Sequence, residues 1–127
     1  MKFLLIALSL LFTGTAIADD YWGKAENPLK TQIAMSDMNV TKDEIIKSIF
    51  KPLVANKWHI VDVTKNSITA TYKSNSKLFI NITPEEISLQ EIPTGVTFKE
   101  RWMESLHRHI EINIKNHHYL RLMKSLQ

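Results

Sequence analysis

Histidine is concentrated at the C-terminal end of this chain. The stretch from His107 to Gln127 reads HRHIEINIKNHHYLRLMKSLQ and holds four of the five histidines in the sequence. Imidazole is the commonest metal-ligating side chain, and it titrates close to neutral pH. The cluster therefore indicates one of three things: a metal site, a pH sensor, or the solvent-facing side of an ordinary helix.

Helical geometry separates the first two of these histidines. Residues on an α-helix advance by about 100° each, so His107 and His109 point about 160° apart and cannot bind one ion from one helix. His107 instead shares a face with Glu104 and Glu111. These three side chains are weak metal-ligand candidates that need a further ligand from another element. A solvated helix face, with Glu111 paired to Lys115, is the simpler interpretation.

The remaining histidines give no stronger pattern. His109 falls at the edge of the apolar stripe of the predicted helix, so we expect a partly buried ring that is bonded to a neighbour. His59 alternates with inward-facing residues of a predicted strand and should face solvent. His117 and His118 are adjacent in sequence, and both are again only weak metal candidates. The sequence thus identifies no catalytic residue, no cofactor site and no firm metal site.

A basic amphipathic segment, residues 115–127, closes the chain. Asn113 and Asn116 are poor helix formers, so we predict a break in the helix near them. Docking of the segment on its own domain is the favoured prediction. A partner groove and the surface of an anionic membrane are the alternatives. The apolar residues of this segment are Tyr119, Leu120, Leu122, Met123 and Leu126.

The composition excludes several classes of site. The chain has no cysteine, so it has no disulfide, thiolate metal site or cysteine nucleophile. Beyond residue 18 its only glycines are Gly23 and Gly95, too few for a phosphate-binding loop or a nucleophile elbow. The formal net charge of +3 is too small to indicate nucleic-acid binding. An enzyme would need a composite site assembled from distant residues.

Residues 1–18 have the pattern of an export signal. Lys2 precedes an apolar run at residues 3–12, and Ala16-Ile17-Ala18 is a small-x-small cleavage pattern. The run is too short for a membrane-spanning helix, which needs about twenty residues. Cleavage leaves a chain that begins at Asp19 and carries no cysteine for a lipid anchor. We therefore predict a non-lipidated periplasmic protein without a transmembrane segment, with extracellular release as the alternative.

The elements that follow change period along the chain. Residues 19–40 show no clean period and are predicted as an extended leader. A helix is predicted after Thr41, because Thr41 and Glu44 form a capping box. Pro52 should kink that helix or end it near Lys51, since proline lacks an N–H and clashes with the preceding turn.

Period-two alternation runs from Trp58 to Leu89 and predicts an antiparallel meander of three or four strands. Helical spacing then returns from Phe98 to Ile114. The predicted fold class is α+β, a two-layer sandwich in which an N-terminal and a C-terminal helix cover one face of the sheet, with the domain at residues 41–114. The predicted inward face of the sheet consists of Trp58, Ile60, Ile68, Ala70, Tyr72, Leu78, Ile80, Ile82, Ile87 and Leu89.

The segments NKWHIVDVTKNSITATY, KLFINIT, EEISLQEI and FKERWMESLHRHI resemble a family of small exported bacterial domains, many of them lipoproteins. In that family a helix leads into a tryptophan-initiated strand, a meander and a helix with an Arg-Trp pair. The resemblance covers about residues 41–112 and implies the same fold. It implies no activity, because the family has none assigned. This chain differs from the family in lacking the lipid-bearing cysteine and in carrying a basic, histidine-rich tail.

The resulting functional prediction is a non-catalytic periplasmic binding or interaction module with a protein partner. Its contact surface would be the exposed sheet face or an edge strand, helped by the C-terminal segment. A histidine-dependent protein that responds to metal or pH is the alternative. An enzyme with a composite site is the third hypothesis.

Overall fold

The computed structural model describes residues 28–73, 75–96 and 98–127. The predicted signal peptide, residues 1–18, lies outside these ranges. The described chain is an α+β protein with two helices and one antiparallel sheet. Its elements in chain order are β1 (Lys30–Ala34), α1 (Lys42–Ala55), β2 (His59–Val63), β3 (Ser67–Tyr72), β4 (Ser76–Ile82), β5 (Glu86–Ile92) and α2 (Glu100–Lys124).

The sheet has five strands in the order β1-β5-β4-β3-β2, and every pair of neighbours is antiparallel. Strands β2 to β5 are the predicted meander. The predicted count of three or four strands is wrong, because β1 adds a fifth strand beside β5 from within the predicted leader. This strand has a single buried residue, Ile33, so its sequence shows no alternation from which a strand could be recognised.

Strand β1 is fastened at its start by a buried acid of β5. Glu91 is only 4% exposed, and its Oε1 accepts a hydrogen bond from the Leu29 N–H at 2.9 Å. The Glu91 N–H donates in turn to the Leu29 carbonyl at 2.8 Å. The side chain and the backbone N–H of Glu91 thus bond to the backbone N–H and carbonyl of Leu29. Neither backbone group at the start of the strand is left without a partner.

Alternate residues of the central strands enter the core. In β4 and β5 the residues that precede and follow each buried position are half-exposed for most of the strand. The predicted inward residues are confirmed as core or core-packed positions. Helix α1 contributes Ile45, Ile49 and Leu53 to the same cluster. Helix α2 contributes Met103, Leu106, Ile110 and Ile114.

Helix α1 begins as predicted and ends later than predicted. Both hydrogen bonds of the Thr41–Glu44 capping box are present, which confirms the predicted start. The helix continues through Pro52 to Ala55, so of the two predicted effects of Pro52, a kink or an end near Lys51, the end is wrong.

A side chain of α2 replaces the backbone hydrogen bond that Pro52 cannot make. Proline at position 52 cannot donate to the Ser48 carbonyl four residues earlier. The side-chain Nδ2 of Asn113 donates to that carbonyl at 3.2 Å. A contact between helices therefore replaces the missing hydrogen bond and lets α1 continue for another turn.

Helix α2 is a single helix of 25 residues, so the predicted break at Asn113 and Asn116 is wrong. The low helix propensity of asparagine is a small cost, and the bond from Asn113 to Ser48 offsets it. Buried residues extend along α2 as far as Ile114. No helix in the described ranges is both long and apolar enough to cross a membrane.

We predict that Asn113 and Pro52 are energetically coupled. Asn113→Ala should lower the free energy of unfolding by about 1–3 kcal/mol, because it leaves the Ser48 carbonyl without a donor. The loss should be smaller in a Pro52→Ala background, where residue 52 regains an N–H. Urea denaturation of the two single variants and the double variant measures the coupling. Asn116→Ala is the control, and equal costs of Asn113→Ala in both backgrounds would contradict the prediction.

Candidate functional site

Phe79 is a large aromatic side chain on the central strand β4 that lies outside the core. Its neighbours Leu78 and Ile80 are fully buried. Because successive strand residues point to opposite faces, Phe79 must point to the other face of the sheet. Its side chain is half-buried, and it is not among the described residues that form the core or pack against it.

Polar side chains surround Phe79 on the same face. Its cross-strand partners are Thr69 on β3 and Gln90 on β5. Lys77 and Asn81 lie two residues away along β4 and are half-exposed. The surface therefore combines one apolar centre with a surround of hydrogen-bonding groups. We call it the Phe79 face, and define it by Phe79, Thr69, Gln90, Lys77 and Asn81.

The prediction from sequence named the inward residues of the sheet and overlooked the aromatic centre of the opposite face. The signal was present in the run KLFINIT, where Phe79 stands out of phase with the inward Leu78, Ile80 and Ile82. Core packing does not account for an aromatic residue at a strand position that points away from the core.

His107 is held by strand β1. Its Nδ1 lies 2.7 Å from the Thr31 hydroxyl oxygen, and its Nε2 lies 3.6 Å from Glu111 Oε1. A cleft of about 310 Å³ adjoins this pair. Glu104 also lines this cleft, whereas Glu111, the third residue that the sequence placed on this helix face, does not. The cleft is lined by Leu29, Lys30, Thr31, Glu100, Met103, Glu104 and His107.

A hydroxyl next to an imidazole can also act as a nucleophile, with the imidazole as its general base. Such a pair needs a third group within hydrogen-bond distance to orient the base, and Glu111 at 3.6 Å from Nε2 is too far away. The contact of Thr31 with His107 instead joins β1 to α2.

His109 is not partly buried, contrary to the prediction. Its side chain is exposed, and its Nδ1 lies 2.8 Å from the Ser105 carbonyl oxygen one turn earlier on the same helix. The predicted apolar stripe was wide enough to include position 109, but the sheet and α1 cover a narrower part of α2. His59 is exposed, as predicted.

His118 and Arg121 attach the C-terminal part of α2 to the loop before α1. The Asn39 N–H donates to His118 Nδ1 at 2.8 Å, and Arg121 Nε donates to the Asn39 carbonyl at 3.1 Å. The segment therefore contacts its own domain, but through polar side chains. The apolar residues that were expected to dock remain exposed.

Glu44 lies where the two helices meet. Its Oε1 accepts from the Thr41 N–H at 2.9 Å and from the Arg121 guanidinium, while its Oε2 lies 3.8 Å from His117 Nδ1. The hydrogen bond from Thr41 lowers the pKa of Glu44 most, and the bond from Arg121 lowers it further. Together they shift this pKa from 4.5 to about 2. Desolvation opposes the shift, and the charges of Arg121 and His117 add smaller contributions in the same direction as the hydrogen bonds.

The weak metal candidates do not form one ligand set. His107, Glu104 and Glu111 lie beside β1, His117 contacts Glu44 of α1, and His118 contacts the loop at Asn39. In the part of the chain that the structure describes, no three histidine or carboxylate side chains converge on a point that could hold a metal ion. Each histidine instead makes its own contact with the domain.

We predict a pH-dependent contribution of Glu44 to stability. A carboxylate whose pKa is lowered in the folded state stabilises the fold above the unfolded pKa of 4.5, and this stabilisation is lost as the pH falls towards about 2. Glu44→Gln should therefore lower stability at pH 7, and its difference from the wild type should shrink as the pH falls through that window. Urea midpoints at several pH values measure this difference, with Asp43→Asn as the control. A difference that stays constant with pH would count against the charge of Glu44.

Comparisons of this chain with protein-family models, with curated proteins and with solved structures found no match. The resemblance to a family of small exported bacterial domains therefore stays a prediction from sequence. The function has to be argued from the geometry of the chain itself.

Proposed function

We propose that this chain is an exported, non-catalytic binding domain that contacts a protein partner through the Phe79 face. The observation that carries the proposal is the aromatic side chain of Phe79 on a central strand, outside the core. Burying an aromatic ring in a core or an interface is strongly favourable, and here the core does not include it. Within the described residues the core does not bury this ring, and the surface of a partner would do so.

We infer a two-layer arrangement in which both helices cover one face of the sheet and the Phe79 face is open. In support, residues of α1 and α2 belong to the same core cluster as the strand residues that point to one face of the sheet. Helix α1 contacts β2 and helix α2 contacts β1, the strands at the two edges of the sheet, and these contacts support the inferred arrangement. Strand residues that point to the opposite face, including Thr69 and Asn81, are half-exposed.

The chemistry of the Phe79 face suits a protein partner. Binding energy at protein interfaces is concentrated in a few residues, often aromatic, that are surrounded by contacts of little energy which exclude water. Phe79 would be the apolar anchor. Thr69 and Gln90 supply hydroxyl and amide groups that can donate or accept hydrogen bonds, and Lys77 adds a positive charge at the edge.

The export part of the proposal rests on the first eighteen residues. A positive residue, a ten-residue apolar run and a small-x-small motif occur in the order that a signal peptidase recognises. The proposed location is the periplasm, without lipidation, and the proposed family is that of small exported bacterial domains. Absence of cysteine suits an oxidising compartment, because no thiol is available for unwanted pairing.

Photo-crosslinking tests the Phe79 face. Benzoylphenylalanine in place of Phe79 should give a covalent adduct of one discrete mass in cells that express the full sequence. The same group in place of Val61, which is 49% exposed on the edge strand β2, is the matched control. Phe79→Ser should not compete for the captured partner, whereas wild-type protein should. Equal labelling from both positions, or none from position 79, would refute the proposed surface.

Cell fractionation tests export. Protein expressed from the full sequence should appear in the periplasmic fraction with the mass of a chain that begins at Asp19, because cleavage follows Ala18. Ala18→Pro is expected to block cleavage and to leave the longer chain attached to the inner membrane. Wild-type protein found unprocessed in the cytosol would contradict the export proposal without bearing on the Phe79 face.

A further inference from the structure

The C-terminal half of α2 carries six large apolar side chains that are about half-exposed or more. Their exposed fractions range from 46% for Leu122 to 86% for Leu126. Isolated apolar residues on a surface need no explanation, but a contiguous group on one element indicates an interaction site. The six are Ile112, Tyr119, Leu120, Leu122, Met123 and Leu126.

Five exposed residues of this half-helix follow a heptad spacing. Ile112, Asn116, Tyr119, Met123 and Leu126 are separated by 4, 3, 4 and 3 residues. We call these five residues the outer stripe. This alternation of three and four is the a/d pattern along which two helices pack as a coiled coil. Asn116 and Met123 take a positions, and the other three take d positions.

The outer stripe cannot turn onto its own domain. Ile110 and Ile114 of the same helix are fully buried against the sheet and α1, with exposed fractions of 0% and 1%. Further along, Arg121 is bonded to Glu44 and to the Asn39 carbonyl. These residues point about 150° or more from the centre of the stripe, at about 100° of helical rotation per residue. Within the described residues, the helix therefore has one face fixed to the domain and one face exposed.

We propose that the outer stripe binds a second copy of this chain, in a parallel, in-register helix pair related by a two-fold axis. A two-fold interface brings the same patch of both copies together. Asn116 supports this arrangement, because a single asparagine at an a position fixes register and number of strands in parallel coiled coils. In the two-fold pair its amide meets its own copy and can exchange hydrogen bonds with it. In a shifted or reversed pair it would face an apolar residue.

Charges beside the stripe permit the parallel pair. In a parallel coiled coil each g residue faces the e residue five positions later on the partner. Lys115 at g would face Leu120, and Leu122 at g would face Gln127. No two like charges meet in either pair. Leu120 and Leu122 also extend the apolar contact on both sides of the stripe.

The size of the stripe sets the expected strength of the dimer. Specific interfaces bury at least about 1,000 Å² in total, and six apolar side chains from each copy come close to this lower limit. The helix is already folded on its domain, so association does not have to order it. We expect a reversible dimer that forms at micromolar concentrations. The inference is independent of the Phe79 face.

Sedimentation equilibrium of the protein expressed from its full sequence tests the dimer. The weight-average mass should rise from that of one chain to that of two as the concentration increases. Met123→Glu should weaken dimerisation at least tenfold by placing two like charges at one a position. Val54→Glu, at an apolar position that is 64% exposed on α1, should leave it unchanged. Circular dichroism identifies any variant that fails to fold.

Introduced cysteines test the direction and register of the pair, since the natural chain has none. Met123→Cys should form a disulfide between two copies under mild oxidation, because identical a positions are adjacent only in a parallel, in-register pair. Lys124→Cys, the next residue on the helix, points about 100° away and should form this disulfide at least tenfold more slowly.

These experiments distinguish a second copy of the chain from the other possible binding partners of the outer stripe. A monomer at all concentrations, with no crosslink from Met123→Cys, would overturn the proposal. A monomer that sediments with anionic phospholipid vesicles would assign the stripe to a membrane surface. A dimer that Met123→Glu leaves unchanged would place the contact elsewhere on the chain.

Discussion

The fold depends on removing one side of a five-stranded sheet from water. Apolar strand residues that point to one face, from β1, β3, β4 and β5, are buried in a single cluster with residues of both helices. Neither helix could complete this core alone, because α1 contacts β2 and α2 contacts β1, which are strands at opposite edges of the sheet. The two helices also contact each other. The bond from Asn113 to the Ser48 carbonyl lies at this junction.

Helix α2 does more than cover the sheet. One side of it contributes apolar residues to the core, and polar residues beside them fasten the helix to β1 through His107, to the Asn39 loop through His118, and to α1 through Arg121. The four histidines that first suggested a metal site thus lie apart: His107 contacts Thr31 of β1, His118 contacts Asn39, His117 lies near Glu44 of α1, and His109 contacts Ser105 of its own helix. Each ring lies next to a different partner, so they do not act as one chemical group.

Two surfaces remain after these packing requirements are met. The Phe79 face lies on the side of the sheet away from the core cluster, and the outer stripe lies on the side of α2 away from the domain. They do not share residues, so one can be occupied without blocking the other. Pairing through the outer stripe would place two Phe79 faces in one particle. Linked binding sites capture a partner with two copies of the epitope more tightly than single sites do, because the second contact forms at a high effective concentration.

Local patterns in the sequence determined the class of the fold and most of its elements. The capping box at Thr41, the alternation from Trp58 to Leu89 and the helical spacing from Phe98 onward each depend on neighbouring residues alone, and each was confirmed. The same patterns placed the core residues, because burial follows the period of an element. They also showed that Glu104, His107 and Glu111 share a helix face.

Only the tertiary structure decided the features that depend on residues distant in sequence. Strand β1 exists because β5 offers it an edge and Glu91 secures Leu29, and neither is visible in the sequence of β1 itself. Helix α1 continues past Pro52 and α2 continues past Asn113 because the Asn113 side chain bonds to the Ser48 carbonyl, 65 residues away in the chain. The exposure of His109, the separate partners of the other histidines and the partial burial of Phe79 outside the core were likewise fixed by which faces the fold covers. Local propensity costs about 1 kcal/mol or less per residue for asparagine, and a single tertiary hydrogen bond is enough to offset it.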